Sequence, residues 1–183
     1  NVILFFSFFM MLFGLLDDKY QYNSKVKFIV PLLFTLLLLI SGVVSNLFDT
    51  IYLNLIFSFL LIYGLINAFN FIDNMDGIST GVALVVSFFL GILGIISDQI
   101  FYSLCLFSMV GSTLATQIFN FPPAKIYAGD SGSLFYGLTL SSLAIIVTNS
   151  FNSTPFDGNN FKLLGILFLI FIYPIYDTTL VVT

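Results

Sequence analysis

Apolar runs of membrane-crossing length, one after another, constrain this chain more than any other feature it has. A helix needs about 20 apolar residues to cross the hydrocarbon core of a bilayer. Such runs lie at approximately 1–16, 28–48, 51–69, 77–97, 100–119, 133–149 and 163–176. They are continuously apolar rather than alternating, which argues against a β-barrel and leaves helices as the way to satisfy the backbone in lipid. The 183 residues are 59% hydrophobic and 8% charged, with a mean hydropathy of +1.10, more apolar than a soluble domain can carry. The expected fold is all-α, a polytopic transmembrane bundle of about seven spans. Short connections and the lack of a repeat make 1–183 a single integral membrane domain. The chain begins at Asn1 and stops at Thr183, straight after "YPIYDTTLVV", so it is expected to be a piece truncated at both ends.

Charge is scarce enough for each ionisable group to need a reason. The nine acids are all Asp, the five bases are all Lys, and there is no His. An ionised side chain at the bilayer centre costs about 2.5–3.5 kcal/mol on insertion scales. Alternating the seven segments across a membrane brings Asp17, Asp18, Asp73, Asp76, Asp130 and Asp177 to one face, with Lys19, Lys25, Lys27 and Lys125 beside them. Only Lys162 falls opposite, so the positive-inside bias makes the acidic face cytoplasmic. The net charge of −4 points to no nucleic-acid partner, and the lone Cys105 excludes an intrachain disulfide.

Three stretches on that face carry chemistry. In "GLLDDKYQYNSKVKF", paired carboxylates followed by Lys25 and Lys27 could hold a cation and a phosphate together, although acids beside lysines also make an ordinary solvated turn. In "NAFNFIDNMDGIST", Asn70, Asp73 and Asp76 recur every three residues and on a helix would share one side; the alternative is a cap for the helix beginning near Gly77. In "NFPPAKIYAGDSGSLFYG", two prolines end a helix and Gly129-Asp130-Ser131-Gly132 lets backbone amides approach a phosphate or metal; a proline turn with an Asp/Ser cap is the plainer reading. Their occurrence together on one face favours a site.

These three motifs, in this order, resemble the acidic motifs of the polyprenyl-phosphate N-acetylhexosamine-1-phosphate transferases, and "YPIYDTTLVV" resembles the segment before that family's last cytoplasmic loop. Likeness runs along essentially the whole chain and is strongest to the bacterial undecaprenyl-phosphate N-acetylglucosamine-1-phosphate subgroup. The resemblance implies an enzyme of the bacterial inner membrane, working at the cytoplasmic face. It would transfer N-acetylhexosamine 1-phosphate from a UDP-sugar to polyprenyl phosphate, releasing UMP, with Mg²⁺ as cofactor and Mn²⁺ as a substitute. Carried over by position, Asn70 and Asp130 hold the metal. Asp17 and Asp18 sit beside the lipid phosphate, with Asp17 holding or deprotonating it, and together with Asp130 they form the catalytic set. Lys27 contacts phosphates, Asp76 meets the uridine end, and Asp73 supports the site. Tyr127 stacks on uracil, with Asn120 and Lys125 as further nucleotide contacts. A homodimer is implied as well. Two departures stand out: the His and Arg residues of the family's last loop are not in this chain, and Asn74 replaces a common Gly.

Two other classes deserve comparison. An intramembrane aspartyl protease would use Asp130 and Asp177 facing each other across one shared proton, but its two motifs would here be in reversed order. A cation-coupled transporter would favour isolated ionisable groups near mid-span, whereas these acids cluster at span ends.

Overall fold

The computed structural model describes residues 2–73, 75–153 and 160–182, which are all helix, turn and irregular connection, with no strand among them. Eight α-helices follow in order: α1 (Val2–Tyr20), α2 (Ser24–Ile40), α3 (Ile51–Ile72), α4 (Ile78–Ile96), α5 (Ile100–Asn120), α6 (Gly129–Asn149), α7 (Asn160–Ile170) and α8 (Ile172–Val182). The polar connection expected at 150–162 starts as a 3-10 turn, Ser150–Ser153, and residues 154–159 lie outside the described part.

Each expected apolar segment contains helix, but the count of about seven spans is only approximate. Four helices, α3 to α6, are long and apolar enough to cross a membrane, and α7 with α8 makes a fifth if the pair, bent by 67°, is taken as one span. α1 carries Asp17, Asp18 and Lys19 in its last turns. α2 stops after 17 residues, about 25 Å at 1.5 Å per residue, where the apolar run predicts helix to 48.

The reason is local. Gly42, with φ of +89°, ends the helix, and the apolar stretch beyond it finds hydrogen-bond partners outside any helix. Asn54 accepts from the Phe48 amide and donates to the Phe48 carbonyl, both at 2.9 Å. Asn149 does the same for this segment, accepting from the Asn46 amide at 2.8 Å and donating to the Val44 carbonyl at 2.7 Å. Ser58 Oγ accepts from the Ser45 amide at 2.8 Å. Three side chains thus stand in for a helical ladder, as a buried irregular backbone requires.

α6 is the axis of the bundle. It packs against α1, α3 and α4, while α4 and α5 form a hairpin and α2 and α8 lie on α3. Of the most apolar stretch of α6, 78% is buried inside the protein, against 22–44% for α3, α4 and α5. Lipid tails are as apolar as leucine, so helices in a membrane associate through close packing and hydrogen bonds more than by excluding water. Small residues allow that closeness here. A Cβ at Gly14 of α1 would lie 2.5 Å from the Asp130 carbonyl oxygen and 2.6 Å from the Ser131 nitrogen of α6. At Gly137 it would lie 2.6 Å from the Ile66 Cα of α3. A buried hydrogen bond from Thr139 to Ser7, 2.8 Å long, ties α6 to α1 deeper in the bundle.

Candidate functional site

The Gly14 contact sets the last turn of α1 directly against the first turn of α6, and the acidic motifs meet there. Asp130 is the hub. Its Oδ2 accepts from Lys27 Nζ at 2.7 Å and its Oδ1 from Asn70 Nδ2 at 2.9 Å. Lys27 also pairs with Asp17 Oδ2 at 3.1 Å. Asp17 is 2% exposed, and its other oxygen accepts from the Tyr22 amide at 3.0 Å, so it is a fixed support for the ammonium. Four helices, α1, α2, α3 and α6, each contribute a side chain.

Asp18 does something the sequence did not reveal. Its carboxylate accepts from the backbone amides of Asp130, at 2.9 Å, and Ser131, at 3.3 Å. It therefore caps α6 from another helix, taking the amides that the glycine-rich motif promises to a ligand, and adding negative charge where the helix dipole favours it. Gly129 makes the fit: its φ is +63°, and a Cβ there would lie 2.7 Å from Asp18 Oδ2.

The second motif departs from the expected helical stripe. α3 ends at Ile72 with Asp73 as its C-cap, so Asp76 belongs to the turn that follows, not to the face of α3. Asn74 lies outside the described residues. Asp76 Oδ2 accepts from the Ala124 amide at 3.3 Å, and Asn120 Oδ1 accepts from the Gly77 amide at 3.3 Å. These bonds lace the turn to the loop after α5, and Asn120 is only 3% exposed. Neither aspartate caps α4, whose N-cap is Gly77. Lys125 is exposed and Tyr127 is 68% exposed, on a loop held to α5 by the Lys125 and Ile126 amides donating to the Phe119 carbonyl. Asp177, on α8, shares none of the hydrogen bonds or ion pairs of the cluster among the described residues. Asp130 accordingly pairs with a lysine and an amide, not with a second carboxyl as a protease dyad requires.

Burial pushes the Asp73 carboxyl from its ordinary 3.8 up to about 6; the Asp130 and Asp18 charges push the same way, against the pull of the Ser79 hydroxyl and the Gly129 amide. An acid whose folded pKa is raised binds more protons in the folded state than in the unfolded state. Stability therefore falls as pH rises from about 4 to about 6 and levels off above that. Asp73→Asn is expected to remove this dependence. The variant's melting temperature should exceed that of the unsubstituted protein at pH 7.5, and the gap should shrink as pH is lowered through this window. A constant gap would mean that Asp73 does not titrate there.

Sequence reading also missed Ser79 and Ser133. Ser133 Oγ accepts from Asn70 Nδ2 at 3.4 Å, and a small polar residue one turn after Asp130 was its only signal. Ser79 is 1% exposed, and its Oγ is the one buried side-chain polar atom without a hydrogen bond among the described residues.

Among the described residues, no three carboxylates close into a ready-made cation cage. The donor set still fits Mg²⁺, which is commonly held by one or two carboxylates while substrate phosphates and water complete its shell. Asp130 and Asn70 would hold it. Asn70 now turns its amide nitrogen toward Asp130, so ligation through its oxygen needs a rotation of the amide.

The model of glycosyl transferase family 4 matches residues 1–148. The "Probable undecaprenyl-phosphate N-acetylglucosaminyl 1-phosphate transferase" of Bacillus subtilis (strain 168) is 31% identical over 149 residues, covering 76% of this chain and 42% of its own length. The phospho-N-acetylmuramoyl-pentapeptide-transferase of Prochlorococcus marinus (strain MIT 9215) is 37% identical over 105 residues, covering 55% and 29%. That of Listeria monocytogenes serotype 4b (strain CLIP80459) is 30% identical over 154 residues, covering 73% and 48%. The chain thus spans less than half the length of these relatives. With most of its residues matched, acidic motifs included, this membrane protein belongs to glycosyl transferase family 4.

Proposed function

We propose that the full-length protein transfers N-acetylhexosamine 1-phosphate from a UDP-sugar to polyprenyl phosphate, releasing UMP. An oxygen of the lipid phosphate attacks the sugar-linked phosphorus. The bond from that phosphorus to the bridging oxygen of the diphosphate breaks, and UMP leaves with the electron pair. The observation that carries this reading is the convergence of Lys27, Asn70 and Asp17 on or next to Asp130, at the end of an apolar bundle.

Phosphoryl transfer is mostly positioning and charge neutralisation. Lys27, held between two carboxylates, is a cation aimed by its neighbours, and it can swing to phosphate oxygens without leaving Asp17. Asp17 would hold or deprotonate the lipid phosphate, and Asp18 fixes the first turn of α6. Mg²⁺ bound at Asn70 and Asp130 would offset the charge of the diphosphate. Asp76 and Tyr127 would meet the uridine, with Asn120 and Lys125 beside them. An apolar groove of about 400 Å³ between α3 and α8, lined by Phe57, Leu60, Leu61, Gly64 and Ile175, reaches Ala68, two residues short of Asn70. It suits an isoprenoid tail whose phosphate rests at the cluster.

N-acetylglucosamine is the favoured sugar because the relative matching 76% of the chain carries that sugar in its name. Clustering of lysines on the acidic side supports the cytoplasmic face of the bacterial inner membrane as the location of this end, and a homodimer belongs to the same reading. The test is exchange of radiolabelled UMP into UDP-N-acetylglucosamine by membranes containing the full-length protein. Exchange is expected to need both Mg²⁺ and polyprenyl phosphate. Folded protein that exchanges with no UDP-N-acetylhexosamine would overturn the reading.

A further inference from the structure

Several buried hydroxyls in this protein bond back along their own helix, and others, such as Thr139, reach a neighbouring helix; Ser79 does neither. Ser87, Thr113, Ser141, Ser142 and Thr148 each donate to the carbonyl four residues back in their own helix, at 2.6–2.7 Å. Ser79 lies in the first turn of α4, 1% exposed, and its Oγ makes no such bond. The carbonyl four residues behind it, Met75 O, instead accepts from the Ile78 amide at 3.4 Å. The hydroxyl favours the charged form of the Asp73 carboxyl, although it makes no hydrogen bond of full geometry. A buried donor left unpaired is costly, and alanine would avoid that cost if size alone mattered here.

We propose that Ser79 is a positioning residue of the transferase site, its hydroxyl reserved as the donor that orients the Asp73 carboxylate when the site is filled. Asp73 ends α3 three residues after Asn70, and the Gly129 amide also favours its charged form. A donor on α4 would complete the set of elements that fix its direction. The idea rests on the function proposed above, and the experiment separates the two.

The test is a double-mutant cycle in full-length protein: unsubstituted, Ser79→Ala, Asp73→Asn and the double variant. UMP exchange with UDP-N-acetylglucosamine, Mg²⁺ and polyprenyl phosphate is read as kcat and KM, and melting temperature in detergent is read on the same four proteins. Ser79→Ala should lower kcat about 3- to 10-fold with little change in KM, and should have almost no further effect once Asp73 is Asn. Equal losses in both backgrounds, or no loss in either, overturn the proposal. If the unsubstituted protein exchanges with no UDP-sugar, the function proposal fails, and melting with saturating Mg²⁺ and UDP decides this one. A shift for Ser79→Ala that at least halves in the Asp73→Asn background supports the pairing; equal shifts refute it.

Discussion

Asp130→Asn is expected to lower UMP exchange by about 100-fold or more, and raising Mg²⁺ should not restore it. One carboxylate here anchors Lys27 and accepts from Asn70, and in the proposed reaction it would also offer the hard oxygen a divalent cation needs. Asparagine keeps the shape and one acceptor but loses the charge, so Lys27 is left with Asp17 alone and the cation site loses its only carboxylate. The fold should survive, because the α6 cap uses the backbone amides of residues 130 and 131 and not the Asp130 side chain. A melting temperature within a few degrees of the unsubstituted protein would confirm that the loss is local. Asp49→Asn, exposed at the end of the connection between α2 and α3, is the matching control and should leave exchange near normal.

The largest expected effect on stability comes from Gly14→Ala. In a solvent-exposed helix this change gains up to about 1 kcal/mol from propensity. At this position the new Cβ would lie 2.5–2.6 Å from backbone atoms of α6, which cannot rotate away as a side chain could. Overpacking of a core costs about 1–3 kcal/mol, and a clash with backbone belongs at or above the upper end of that range. Net destabilisation is therefore expected, read as a lower melting temperature in detergent. Activity should fall too, since parting α1 from α6 separates Asp17 and Asp18 from Asp130. Gly64→Ala is the control: a Cβ there meets nothing within 4 Å, so propensity alone should act. If both variants melt alike, the α1–α6 contact is looser than described.

Much of this arrangement was legible in the sequence because hydropathy reports directly on burial in lipid. Each of the seven apolar segments contains helix, and the three acidic motifs marked Asp17, Lys27 and Asn70, which gather around Asp130. Motif spacing could not show where helices stop. Asn70, Asp73 and Asp76 have helical spacing, yet α3 ends at Ile72 and the last carboxylate turns to the loop after α5, because tertiary hydrogen bonds outweigh periodicity. The contact of Asp18 was equally hidden, since its partners, the amides of Asp130 and Ser131, lie more than 100 residues away on another helix. Gly14 gave no sign beyond being small, as close packing between two backbones leaves no chemical mark in either strand of text.

α6 also bears on how such a protein is made. Ser141, Ser142 and Thr148 bond along their own helix and Thr139 bonds to Ser7 of α1, so the surface of α6 is shaped to face neighbouring helices. Synthesis proceeds from the amino terminus, so α1, α3 and α4 emerge from the ribosome before α6 does. α6, which carries Asp130, therefore arrives after the three helices it packs against, and the order of the genetic message doubles as an assembly schedule.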